Sequence, residues 1–257
     1  LFVTQTLGYK AACGIGLIGK LIGETLLKHP EYEFQMVYTD DWTGVFNAVN
    51  QFNPQAIIYN YAPGTTPWMD NYEPRSQIKV PQVRIMHDMY QKLADEFNPH
   101  NHAGWEYLLA DDPSVVGNER VFITNRLLPP TTSHVYSDGS VPKIGFQGFG
   151  PPHKGIGRLA RQIQEEFDEA IFRLHIPFGY YEDLIHGYVG SNANARVNEV
   201  KSIITKPGIK LEFSHDLMET DEVVDWLAQN TINCYFYDFL DGFNAETFHT
   251  CSVYREH

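Results

Sequence analysis

The feature that most constrains this chain is an alternation. Ten short apolar runs, rich in β-branched and aromatic residues, are separated by longer stretches, several with apolar residues at helical spacing. The runs cover residues 2–7, 33–39, 56–61, 83–87, 107–110 and 121–124, then 143–147, 170–176, 209–213 and 231–237. The spacing predicts helices over 15–28, 154–167 and 220–229. In the first, Ile15, Ile18, Leu21, Ile22 and Leu26 share a face; in the second, Ile156, Leu159, Ile163 and Phe167 do. The third opens on Thr220 and Asp221, which suit a helix start, and carries Val223, Val224 and Leu227. Parallel neighbours need a crossover, so strand, helix, strand repeated along a chain implies parallel sheets covered on both faces. The expected class is α/β.

The alternation restarts once. Residues 125–142 are rich in Pro, Ser and Thr and show no helical period, so a domain boundary is placed there. Two Rossmann-like domains are expected, over 1–139 and 140–257, facing a cleft. Ligands of such sheets bind beyond the carboxyl ends of the strands, which makes the cleft the expected site. No internal repeat or low-complexity tract competes with this division.

Charge and composition narrow the partners. Nineteen basic residues face 32 acidic ones, a net charge of −13, which argues against nucleic acid as the main partner. A local phosphate site stays compatible with that balance. Apolar residues make up 43% of the chain, too many for a disordered one. No apolar run approaches the roughly 20 residues of a transmembrane helix, while peripheral membrane contact is left open. Cys13, Cys234 and Cys251 are too scattered for a disulfide framework or a zinc site, which points to a reducing, cytoplasmic setting. Leu1-Phe2-Val3-Thr4 lacks both a signal peptide's basic start and an initiating Met, so a longer parent chain is expected.

Three segments carry chemistry. Gly14-Ile15-Gly16-Leu17-Ile18-Gly19-Lys20 follows the first strand and opens the first helix. Glycines there let backbone N–H groups approach a phosphate, and Asp40 or Asp41 stands where a dinucleotide site would place its ribose-binding acid. Leu21 replaces the Ser or Thr that a P-loop needs for magnesium. Close helix–sheet packing explains the same glycines. The second segment runs from Gly145 through Gly148, Gly150, Pro151 and Pro152 to His153, Lys154 and Gly155. A helix is expected to begin near Lys154, where a cation opposes the macrodipole, and His153, Lys154 and Arg158 crowd that end. An anion would remove the conflict; the alternative is a solvated basic helix start. The third is Arg84-Ile85-Met86-His87-Asp88 at a strand's carboxyl end, where Asp88 would tune or orient His87. A core histidine satisfied by hydrogen bonds is the competing account. No His, Asp or Glu cluster has metal-ligand spacing.

In order along the chain, these pieces resemble glycosyltransferases of the GT-B architecture, in particular the retaining GT4-like group. The glycine turn through Gly19 resembles the family's first strand–helix turn, and Phe52-Asn53-Pro54-Gln55-Ala56-Ile57-Ile58-Tyr59 its approach to the third strand. Val80-Pro81-Gln82-Val83-Arg84-Ile85-Met86-His87-Asp88 is similar to the family's strand ending in His-Asp. Lys143-Ile144-Gly145-Phe146 followed by Lys154-Gly155 resembles the opening of the donor domain. Leu211-Glu212-Phe213-Ser214-His215, then 220–228 and 233–238, resemble the later strand–helix–strand toward the donor site.

The resemblance implies transfer of a sugar from a nucleoside-diphosphate sugar to a glycan or other acceptor, with retention and without a cofactor or essential metal. Residues 1–139 would be the acceptor side and 140–257 the donor side. Gly14 and Gly16 would approach the donor; Lys154, with Arg158, would hold its diphosphate, the large electrostatic contribution in such a transfer; His215 would stand at the donor site. His87 and Asp88 would work at the reacting sugar. Asp241, in Phe239-Leu240-Asp241-Gly242-Phe243, occupies the place of the family's usual Glu. The usual basic residue near Gln147 is absent, the pattern is lost after Phe243, and the second domain is therefore expected to be incomplete. Two other classes stay open: an NAD(P)-dependent oxidoreductase using Gly14, Gly16, Gly19 and Asp40, and a noncatalytic sugar-binding protein using its many aromatic residues. The sequence leaves the oligomeric state undetermined.

Overall fold

All ten expected strands form, and every pairing between them is parallel. The computed structural model describes residues 1–6, 14–62, 65–87, 89–99, 105–124, 127, 137, 139–179, 183 and 186–235. They belong to two compact units, one within Leu1–Leu128 and one within Pro129–Asn244.

The first unit contains β1 (Phe2–Thr4), β2 (Met36–Tyr38), β3 (Ile57–Tyr61), β4 (Gln82–Met86), β5 (Tyr107–Ala110) and β6 (Val121–Ile123) in the spatial order β2-β1-β3-β4-β5-β6. Expected strand 33–39 narrows to three residues because its partner β1 offers only Phe2–Thr4 for pairing. Its helices are α1 (Gly14–Leu26), α2 (Trp42–Phe52), α3 (Tyr72–Ser76) and α4 (Gln91–Glu96), with a 3-10 turn at Pro67–Asp70. Period-two alternation sorts the strand side chains. Val3, Ile57, Tyr59, Tyr61, Met86, Leu108 and Ala110 join Trp42, Val45 and Trp105 in one core. Thr4, Ile58, Asn60, Ile85, His87, Leu109 and Asp111 project to the other face, the side of α1.

The expected packing face of α1 needs correction. Its buried positions are Gly16, Ile18, Gly19 and Gly23 rather than the aliphatic stripe alone. A Cβ on Gly19 would stand 2.3 Å from Asn60 Nδ2 and 2.4 Å from Thr4 Oγ1, so the glycine is what lets the helix lie this close to the sheet. Ile18, Ile22 and Leu26 instead line, with Ile58, Ile85 and Leu109, an apolar cavity of about 250 Å³.

The second unit contains β7 (Lys143–Gln147), β8 (Ala170–His175), β9 (Ile209–Ser214) and β10 (Ile232–Asn233), ordered β10-β7-β8-β9. A 3-10 turn at Pro152–Lys154 leads into α5 (Ile156–Glu166); α6 (Ser191–Ile203) and α7 (Thr220–Ala228) follow. Ile156, Leu159 and Ile163 of α5 pack on Ile144, Phe146 and Phe172 as their spacing requires. Each fully buried isoleucine contributes on the order of 1.5–3 kcal/mol. Expected helix start Lys154 shifts to Ile156, because Gly155 adopts φ 62°, a left-handed conformation that breaks the turn from the helix. The cap of α7 is Glu219, not Thr220; Glu222 accepts from the Glu219 N–H at 2.8 Å.

Two long helices escaped the periodicity. In α2 the start signal, Asp41, had been weighed as a ribose ligand; it caps the helix by accepting from the Gly44 N–H at 3.0 Å. In α6 four polar residues flank each buried one, and only Ala193, Val197 and Val200 at steps of four and three mark the inner face. Among the described residues, no helix is long and apolar enough to cross a membrane.

Candidate functional site

Strand order locates a crevice in each unit. In the first, β1 lies between β2 and β3, so the chain changes direction across the sheet at the carboxyl ends of β1 and β3. Thr4 and Asn60 stand there, beneath the first turn of α1. Asn60 Nδ2 donates to Thr4 Oγ1 at 3.0 Å and to the Ile15 carbonyl at 2.9 Å. The Ile15 oxygen is only an acceptor, which fixes the amide with its own oxygen facing the other way. His87 Nε2 meets that oxygen at 2.6 Å and must donate to it. On the far side of the ring, His87 Nδ1 lies 2.9 Å from Asp111 Oδ2, a separation that places a proton between them.

The expected partner of His87 is thus replaced. The carboxylate that orients it is Asp111, just past β5, whereas Asp88 lies outside the described residues. His87 is 4% exposed with both ring nitrogens engaged inside the unit. Adjacent numbering suggested Asp88; the parallel pairing of β4 with β5 brings Asp111 instead. Sequence reasoning missed Asn60 and Asp111. Their only local signal is a polar residue at an inward position of an otherwise apolar strand.

The glycines of the first turn divide by role. Gly14 opens α1, is exposed, and a Cβ on it would meet nothing within 4 Å. Gly16 is buried in the helix. The acids of the dinucleotide reading are bonded within the unit: Asp40 accepts from the Thr6 N–H at 3.3 Å and from its hydroxyl, and Asp41 caps α2.

In the second unit the order reverses between β7 and β10. Beyond β7, Gly148 at φ 130° donates its N–H to the His175 carbonyl at 3.0 Å, and a Cβ on it would meet nothing. Gly150 donates to Asn192 Oδ1 of α6 at 2.9 Å. The 3-10 turn ends on Lys154, and α5 begins with no side-chain cap and no acidic residue in its first turn. Its leading N–H groups and dipole face the turn that carries Lys154, with exposed Arg158 one turn on. The first turn of α7, by contrast, holds Asp221 and Glu222.

His215 follows β9, two strands from β7, roughly 10 Å by strand spacing. Its Nδ1–H donates to the Ile176 carbonyl at 2.8 Å, and its ring stacks on Phe178 at 4.4 Å and 16°. Neighbouring His175 is 1% exposed, with Nδ1 2.8 Å from Ser214 Oγ and the Trp226 ring 5.9 Å away. Burial, with the nearby His215, pushes its pKa down to about 4. Lys154 and Arg158 therefore share one helix start, His215 lies along the same edge, and Asp241 falls outside the described residues. Among the described residues, no group of three or more His, Cys, Asp or Glu side chains could hold a metal.

No family model matches this chain, and no curated protein does. Solved structures do. HepE from Anabaena, determined with UDP and glucose, superposes with a TM-score of 0.52 at 12% identity, over 92% of this chain and 74% of HepE. The same protein determined with UDP-glucose gives 0.52 and 12%, over 92% and 73%. A glycosyltransferase from Rickettsia africae covers 90% of this chain and 71% of its own, at 10% identity and a TM-score of 0.46, too distant to argue from. The neighbours are GT-B glycosyltransferases, and the likeness to HepE shows that fold for this chain.

Proposed function

We propose that the chain is a glycosyltransferase of the GT4-like group that binds a uridine-diphosphate sugar in its second unit and transfers the sugar, with retention, to a glycan or related acceptor. The observation that carries this reading is the start of α5: an uncapped helix N-terminus without acidic residues, preceded by the Gly148–Lys154 turn at the carboxyl end of β7. HepE, the neighbour with the same fold, was determined with UDP-glucose, which supports uridine as the base.

In this reading the donor domain is 140–257 and the acceptor-side domain 1–139. Lys154 and Arg158 bind the diphosphate and stabilise the negative charge that grows on it as the sugar leaves. His215 lines the same edge, and Gly14 and Gly16 give the donor close backbone approach. Asp88 and Asp241 face the reacting sugar. His87, with both ring nitrogens occupied, positions Asn60 and through it the first turn of α1. The donor is a substrate, and the reading requires no cofactor or metal.

The test is calorimetric titration of the chain with UDP, UDP-glucose, GDP- and ADP-sugars, NAD and NADP. Binding of UDP-glucose that is weakened in Lys154→Ala supports the reading. Binding of NAD alone, or UDP-glucose affinity equal in parent and variant, overturns it.

A further inference from the structure

The face of the first sheet turned away from α1 holds two buried arginines. Arg75, on α3, is 2% exposed, and Arg84, in the middle of β4, is 7% exposed. Both guanidiniums lie over the ring of Trp105, at 4.6 and 5.2 Å from its centroid. Arg84 also stacks on Tyr61 at 4.3 Å and donates through Nη1 to Asp70 Oδ1 at 3.0 Å.

Arg75 has no such carboxylate. Its Nε and Nη2 are buried without a hydrogen-bond partner, as are Arg84 Nε and Trp105 Nε1. These two nitrogens of Arg75 carry the N–H groups that project in parallel from one edge of a guanidinium, the fork that meets two oxygens of a carboxylate or phosphate. The polar neighbours are committed elsewhere. Gln82 accepts from the Tyr59 hydroxyl at 3.0 Å and donates to the carbonyls of Arg75 and Ile78. Asp70 divides its oxygens between Arg84 and the Tyr61 hydroxyl. Two buried cations against one carboxylate leave a positive charge uncompensated, an arrangement that folding tolerates poorly. Burial first, and Arg84 after it, weaken the proton affinity of Arg75 in the absence of a counter-ion.

We propose that the Nε–Nη2 edge of Arg75 binds one small oxyanion, carboxylate or phosphate, with Arg84 supplying the second positive charge. Gln82, at the amino end of β4, holds the Arg75 carbonyl, so this site sits toward the opposite end and the opposite face of the sheet from His87. It is separate from the carboxyl-end crevice of the same unit, and a bound anion there would stabilise the unit itself.

The test is thermal unfolding of the full chain at fixed ionic strength, titrated with inorganic phosphate or with acetate against chloride. The Lys154→Ala background keeps the proposed diphosphate site out of the measurement. A saturable rise in midpoint beyond the chloride curve is expected, and it should vanish in Arg75→Lys, which keeps the charge and loses the fork. Arg75→Met should unfold no earlier than its parent in chloride and should not respond to either anion. A response to acetate but not phosphate assigns a carboxylate ligand; the reverse assigns a phosphate. A parent curve identical in all three salts, or a response retained in Arg75→Lys, overturns the proposal. Should neither variant fold, equilibrium dialysis of labelled phosphate and acetate decides it: one ion per chain supports the site, none refutes it.

Discussion

Asn60 Oδ1 lies 2.6 Å from His87 Nε2, and this contact joins β3, β4 and the first turn of α1 into one buried polar chain ending on Asp111. Removing the amide leaves the His87 N–H and the Ile15 carbonyl without their partner. Asn60→Ala should therefore lower stability by roughly 1–3 kcal/mol, the scale for an orphaned buried donor. Urea denaturation measures it. A loss below about 0.5 kcal/mol, typical of a surface change, would show that the network does not hold the unit together.

Gly19 and Gly14 should behave oppositely. A methyl at Gly19 strikes Asn60 and Thr4, which are hydrogen-bonded to each other and have little room to yield. Gly19→Ala should destabilise by about 1–3 kcal/mol, as overpacking does. Gly14→Ala meets open space and should leave stability within about 0.5 kcal/mol of the parent. If Gly14 approaches the donor, the same substitution should weaken UDP-glucose binding in calorimetry while the unfolding midpoint stays put.

Lys154→Ala should weaken UDP binding by about 1.5–3 kcal/mol, the scale of a hydrogen bond to a charged group. Stability should hold, because Lys154 precedes α5 across the left-handed Gly155 and no hydrogen bond of the helix depends on its side chain. Isothermal titration and a melting curve on the same sample separate the two effects.

His175 sets an acid limit. Its pKa falls from 6.5 to about 4 on folding, so between those values the unfolded chain takes up a proton that the folded chain refuses. Stability contributed by the neutral ring is therefore complete above pH 6.5 and is lost as pH falls toward 4, by about 3 kcal/mol in total. Chemical denaturation at pH 7, 5.5 and 4 should show that decline. His175→Gln should flatten it; an equal slope in the variant would place the titration elsewhere.

The strands and most of their ends were legible because β-branched and aromatic runs report local geometry. Tyr107–Ala110 and Lys143–Gln147 form over the very residues that the pattern marked. Helix α5 was legible in its apolar face but not in its start, since Gly155 breaks the turn at a conformation that composition does not print. Helix α6 was hidden by its asparagines.

The sequence by itself determined the alternation, and with it two parallel α/β units, because residue preference and periodicity act within one element. What tertiary structure decided is who meets whom. His87 finds Asp111, 24 positions away, because β4 and β5 pair in parallel; α1 seats glycines on the sheet because Asn60 and Thr4 rise beneath it; Arg75 and Arg84 converge on Trp105 from separate elements. Contacts of this kind depend on strand order and on which face each strand turns inward, and neither is written in any local stretch of residues.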